Sequence, residues 1–213
     1  MTDAGLMPPT VVEHSRVHAA VLHDLLFRHT PTVEGIVRVT GLPGTTVSDA
    51  MAILKERGAV VDGRSGAIVA AYPLSAVPTP HVVELGGAAP WANCAVDALA
   101  APAMAGRQGT ISSRCAFCSG PITIEVESSA VQSSEPAGVI VAYGGLSGCD
   151  DRSVLVNSCP FINFFCGQAH AARWQPPATW SGRFLSLDQA VQLAVSNFHH
   201  VIEVYQRFRP GSA

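Results

Sequence analysis

Apolar residues recur at helical spacing in "RVHAAVLHDLLFRH", where Val17, Val21, Leu22, Leu25 and Leu26 share one side and Arg16, His23 and Asp24 fall elsewhere. This predicts a first helix ending near His29. The stretch "TVEGIVRVTGLPGTTVSDAMAILKERGAVV" predicts a short helix around Val33 to Thr40, a turn at Gly41, Pro43 and Gly44, and a helix from about Thr46 to Arg57 with Gly58 as its C-cap. "AVVDGRSGAIVAAY" then alternates around "DGRSG" as a β-hairpin does. Helices followed by a hairpin make a winged-helix-like layout, which reads either as a DNA-binding domain or as a scaffold or dimerisation domain. The basic residues of its last helix, Lys55 and Arg57, sit at the C-terminal end, while bases would be met from the N-terminal end. The proline-bearing run "PLSAVPTPH" reads as a linker, dividing a winged-helix-like domain, residues 1–80, from a catalytic domain, residues 81–213.

Beyond His81 the pattern becomes mixed. A helix is expected over about Ala92 to Met104, then strands in "ISSRC" and "PITIEVE" around a "CAFCSGP" turn, and a further apolar segment in "GVIVAYGG". "QAHAARW" reads as helical. In "LSLDQAVQLAVSNFHHVIEVYQRF", Leu187, Val191, Ala194, Phe198, Ile202 and Tyr205 follow one helical period, and Ser186 with Gln189 forms a capping box. The expected class is α+β: a winged-helix-like helical domain followed by a mixed domain with antiparallel strands and a C-terminal helix.

Composition narrows what such a fold can do. Of the 213 residues, 48% are hydrophobic and 14% charged, too apolar for a disordered chain and sufficient for a sizeable core. The longest nearly uncharged run, Leu85 to Met104, carries Pro90, Asn93, Asp97 and Pro102, which suits a buried segment and not a membrane span. The first residues, "MTDAGLMPPT", lack the basic and apolar regions of a signal peptide, so the cytoplasm is expected. A net charge of −3 offers no drive toward nucleic acid or an anionic membrane. In that compartment the six cysteines are expected to be reduced, available for thiol chemistry, metal binding or packing.

Chemistry concentrates in "PWANCAVDALAAPAMAGR". Cys94 stands three residues before Asp97 in apolar surroundings. At helical spacing the two share a face, where thiol and carboxylate contend for one proton, because like charges and burial both oppose double ionisation. Such a carboxylate can take the thiol proton and return it later. The plainer reading is a packed cysteine beside a capping aspartate. Cys159, in "NSCPFINFFCG", would make a two-thiolate site for a soft metal if the fold brought it to Cys94.

Cys115 and Cys118 have the spacing of half a zinc knuckle, yet no second C-x-x-C accompanies them, and Cys149, Cys159 and Cys166 are oddly spaced. That argues against zinc. Cys149 sits in a polar loop with no evident role, and Cys166 suits packing or an accessory thiol. The eight histidines read as ordinary surface or partly buried residues. No serine nucleophile elbow or phosphate loop occurs.

"WANCAVDALAAPAMAGRQGTISSRC", "SSEPAG", "NSCPFINFF" and "AARW", in that order, resemble the alkylmercury lyase (organomercurial lyase) family of bacterial mercury resistance, from about His81 to Trp174. The resemblance places the family's motif residues at Cys94, Asp97 and Cys159, and likens the preceding segment to the family's winged-helix-like N-terminal domain. It implies protonolysis of a carbon–mercury bond to a hydrocarbon and Hg2+. Cys94 and Cys159 would bind mercury, and Asp97 would carry the proton. It implies no cofactor, makes Cys115 a buried structural cysteine, and gives Cys118 no role. The implied partners are the organomercurial substrate, cellular thiols and a mercuric reductase, with Cys166 a candidate relay for Hg2+. A departure from the family pattern at Asn93, with Trp91 nearby, bears on pocket shape. The competing readings are a winged-helix metal-responsive regulator, with Cys115 and Cys118 holding metal, and a soft-metal-binding protein without lyase activity.

Overall fold

A computed structural model describes residues 10–127, 129–148 and 154–211. Helix α1 (Val11–Leu26) opens with Thr10 and Glu13 in a reciprocal capping box, and buries Val17, Val21, Leu22, Leu25 and Leu26, the face its periodicity marks. Helix α2 (Val33–Thr40) ends at Gly41, whose φ of 68° is open to glycine at no steric cost. Helix α3 (Gly44–Glu56) follows, then the antiparallel hairpin β1 (Val60–Asp62) and β2 (Ile68–Ala71).

The run expected to be a linker is part of the sheet. Leu74–Ser75 forms strand β3, fully buried, between β2 and β5 (Trp91–Ala92). Prolines flank this short strand without interrupting it, and burial of Leu74 outweighs the polar, turn-forming character of its neighbours. With β4 (His81–Glu84), β6 (Gly109–Arg114), β7 (Pro121–Glu127) and β8 (Ala130–Glu135), the strands form an eight-stranded antiparallel sheet in the order β1-β2-β3-β5-β4-β6-β7-β8. It includes strands from both sides of residue 80. A three-stranded antiparallel sheet, β10-β9-β11, is built from β9 (Ile140–Leu146), β10 (Phe164–Phe165) and β11 (Trp180–Ser186).

Helix α4 (Ala95–Ala105) lies at the centre. Its sequence is apolar on every side, and a helix of that kind must be enclosed. Strands β4 to β7 cover one side, and helices α7 (Leu187–Asn197) and α8 (His199–Phe208) cover the other. Its alanines let those neighbours approach closely. The expected single C-terminal helix is divided at Phe198, whose φ of −102° and ψ of 10° interrupt the helical path. The break lets α7 lie on α4 while α8 reaches both α4 and α1. Ser186 and Gln189 form the expected capping box. The described residues thus form a mixed α and β fold with antiparallel sheets and C-terminal helices, and among them no helix is long and apolar enough to cross a membrane.

Because α4 packs on both layers, its core should be sensitive to truncation. Leu99 is 0% exposed. Leu99→Ala is expected to cost about 2–5 kcal/mol in urea unfolding, while Val11→Ala, at an exposed position, should change stability by less than about 0.5 kcal/mol.

Candidate active site

The site begins where α4 begins. Cys94 is not on the helix, as the spacing suggested, but is its N-cap, in extended conformation, with Asp97 at the third helical position. The Cys94 Sγ accepts the Asp97 backbone N–H at 3.5 Å. The cap still brings thiol and carboxylate together, and it adds the positive end of the helix dipole at the sulfur.

Cys159 arrives from the other layer. It starts a 3-10 turn, Cys159–Phe161, after the short helix α5 (Val154–Asn157). This segment is tied to the start of α4 by the Ala95 N–H, which donates to the Ile162 carbonyl at 3.0 Å, and to β9 by the Ala142 N–H, which donates to Asn163 at 2.9 Å. Gly145 on β9 makes the crossing feasible, since a Cβ there would lie 2.6 Å from Ser158 Oγ and 2.8 Å from the Asn157 carbonyl oxygen. The ligand atoms of Cys94, Asp97 and Cys159 consequently lie within 4.8 Å of one another.

All three side chains are buried, at 2%, 3% and 4% exposure. Burial pushes the Cys94 thiol well above its ordinary range, with nearby Cys159 and Asp97 adding to the effect and the Asp97 N–H opposing it. Burial likewise raises the Asp97 carboxyl to about 7, against smaller opposing contributions from the Asn93 and Cys94 side chains. Asp97 Oδ2 is buried without a hydrogen-bond partner among the described residues. An ionised carboxylate with an unpaired oxygen is costly, so a proton on Asp97 is favoured far above the usual carboxylate range.

A cavity of about 490 Å³ opens onto these groups, lined also by Tyr72, Val96, Tyr143, Ile162 and Phe198. Tyr72, which the sequence did not single out, accepts a weak hydrogen bond at its hydroxyl from the Cys159 Sγ at 3.9 Å. Burial, and secondarily Cys159, push the Tyr72 phenol up, so it stays protonated. Tyr72 is remote from Cys159 in the chain and belongs to no recognisable motif.

The remaining thiols gather elsewhere. Cys115, Cys118, Cys166 and His170 place their ligand atoms within 4.8 Å of one another. Cys166 therefore sits against Cys118, at 3.7 Å, and does not line the Cys94 cavity, which removes the basis for a mercury relay. His170 is no ordinary surface histidine, and the spacing Cys166-x-x-x-His170 is the signal that could have shown it. His18 and His81 are core residues, each lowered to about 4 by burial, and His81 Nδ1 lies 2.8 Å from Ser113 Oγ. Cys149 lies outside the described residues.

Residues 74–199 match the family model for alkylmercury lyase. The alkylmercury lyase of Bacillus cereus is 30% identical over 164 residues, 76% of this chain and 71% of that protein. The one from Staphylococcus epidermidis is 32% identical over 142 residues, 67% of this chain and 63% of that protein. Among solved structures, the mercury-bound form of MerB2 shares the fold, with a TM-score of 0.71 at 22% identity, covering 91% of this chain and 93% of that one. The family match spans the strands, helix and turn that carry Cys94, Asp97 and Cys159, and on that match the chain belongs to the alkylmercury lyase family.

Proposed function

We propose that this chain cleaves the carbon–mercury bond of organomercurials by protonolysis, with Cys94 and Cys159 as mercury ligands and Asp97 as the proton carrier. The observation that carries this reading is the convergence of two buried sulfurs and one buried carboxyl, raised to about 7, on a single apolar cavity. Family membership supplies the substrate class.

The substrate, R–Hg+, is a soft cation with an apolar substituent. Thiolates suit the metal, and the Val96, Ile162 and Phe198 side chains suit the organic group. As Cys94 Sγ bonds to mercury its proton passes to ionised Asp97, the nearest base. Cys159 adds a second Hg–S bond and releases its own proton to solvent. Two sulfur donors push electron density onto the mercury-bound carbon. Asp97 then delivers its proton to that carbon, the C–Hg bond breaks, R–H leaves, and Hg2+ remains on two thiolates. The sum balances: R–Hg+ and two thiols give R–H, a mercury bis-thiolate and one proton. Burial of all three groups limits the access of water to the shared proton.

Cellular thiols would then extract Hg2+, and a mercuric reductase would consume it. The chemistry needs reduced cysteines, which suits the cytoplasm. We read residues 1–80, with their winged-helix-like order of elements, as a scaffold for the site in 81–213. The basic Lys55 and Arg57 lie at the C-terminal end of α3, Lys55 is paired with Asp62 at 2.7 Å, and hairpin β1–β2 continues into the sheet beneath α4.

Reduced protein incubated with phenylmercury and excess thiol should release benzene. Cys94→Ala should abolish release. Asp97→Ala should still bind mercury but lose cleavage by about 10²–10⁴-fold, the range for removing a general acid or base. Mercury binding without hydrocarbon from the unaltered protein would leave a soft-metal trap, and persistent cleavage in Asp97→Ala would remove the acid assignment.

Asp97 also links stability to pH. Its carboxyl is raised from 3.8 to about 7 on folding, so the folded state binds that proton more tightly than the unfolded chain does. The resulting stability is present below about 4 and lost as pH rises through about 7. Relative to unaltered protein, Asp97→Asn should gain about 2–3 kcal/mol between pH 5 and pH 8, read from urea unfolding at the two values. A pH-independent difference would contradict a buried, proton-holding Asp97.

A further inference from the structure

We propose that Cys115, Cys118, Cys166 and His170 hold one zinc ion in a closed tetrahedral site, separate from the mercury chemistry. Zinc bonds of about 2.3 Å to sulfur and about 2.0–2.1 Å to nitrogen set the edges of a tetrahedron at about 3.8 Å between sulfurs and about 3.6 Å between sulfur and nitrogen. Cys118 Sγ lies 3.7 Å from Cys166 Sγ, and Cys115 Sγ lies 3.6 Å from His170 Nδ1. Either contact alone could be a thiol hydrogen bond. Together, the four ligand atoms lie mutually within 4.8 Å, close enough to share one ion.

The backbone is shaped for sulfur ligands. Cys115 and Cys118 flank the tight turn between β6 and β7, closed by the Ser119 N–H donating to the Cys115 carbonyl and the Cys115 N–H donating to the Gly120 carbonyl, both at 2.8 Å. The Gly120 N–H donates to Cys118 Sγ and the Cys166 N–H to Cys115 Sγ, both at 3.4 Å. Such donors stabilise thiolate over thiol. Gly120 has no Cβ to intrude, for one would stand 3.2 Å from Cys118 Sγ. The other pair comes from the segment after β10, with His170 on helix α6 (Gln168–Arg173). A C-x-x-C turn and a C-x-x-x-H segment, far apart in sequence, thus meet as the two halves of one site.

Binding Zn2+ replaces the three thiol protons, which go to solvent, and leaves a complex of charge −1. With all four positions taken by protein, the ion has no open place for substrate, so its role is structural. It clamps the segment that follows Cys159 to the β6–β7 turn of the large sheet, through Cys166, seven residues from Cys159.

The test is metal analysis of the full chain, purified reduced and without chelator, followed by cobalt substitution. About one zinc per chain is expected, or, in metal-poor protein, uptake of one Co2+ with the intense visible spectrum of tetrahedral thiolate coordination. The signal should survive in Cys94→Ala/Cys159→Ala and fall severalfold in Cys118→Ser and His170→Ala. Should those variants misfold, the cobalt spectrum of unaltered and Cys94→Ala/Cys159→Ala protein still decides. Protein that takes neither metal, a weak octahedral spectrum, a spectrum lost with Cys94 and Cys159, or a Cys118–Cys166 disulfide in place of metal would overturn the site.

Discussion

Three side chains, Cys94, Asp97 and Cys159, are buried at one point against the N-terminus of α4, where water has little access to their charge. That constraint governs the site. In water the carboxyl would be ionised at neutral pH and the proton would belong to solvent. Here burial raises Cys94 and Asp97 together, Asp97 to about 7, so near neutral pH the carboxyl can both take a proton and give it back. A soft organomercury cation is suited to start that exchange, since it displaces a thiol proton and the carboxyl is the acceptor at hand.

The rest of the fold serves this placement. An alanine-rich helix can be enclosed on all sides, and so can carry its cap and third residue into a dry interior. The Ala95–Ile162 hydrogen bond and the bare backbone at Gly145 bring the Cys159 segment across β9 to meet it. The second sulfur cluster grips the same segment further along, beyond Phe164 and Phe165, which are fully buried. Rigid positioning on both sides of Cys159 matters because displacement of a reacting group by about 1 Å can cost about 10²-fold in rate.

Much of this was legible in the chain. Periodicity located α1, α2 and α3, and a serine and a glutamine three apart marked the start of α7. Cys94, Asp97 and Cys159 were legible as candidates from residue types and motif order, and the fold brings the three together. Other features depend on contacts no local pattern encodes. Leu74 and Ser75 look like linker because burial, not propensity, makes them a strand. Phe198 divides a continuous apolar stripe because two different surfaces need covering. Cys94 became a cap because the chain turns in from β5, and Tyr72 reaches Cys159 through tertiary packing alone. Cys166 and His170 were readable only as a pair, with the C-x-x-C that completes them 48 residues upstream of Cys166.

The claim on which the account turns is that Asp97 carries the transferred proton. The direct measurement is the carboxyl carbon resonance of Asp97 in 13C-labelled protein at pH 8, followed as an organomercurial is captured and cleaved. The account predicts a largely ionised carboxylate in the free protein, conversion to the protonated form on mercury capture before hydrocarbon appears, and return to the ionised form as hydrocarbon is released. An Asp97 that remains ionised from capture to release would mean that the proton reaches carbon from elsewhere.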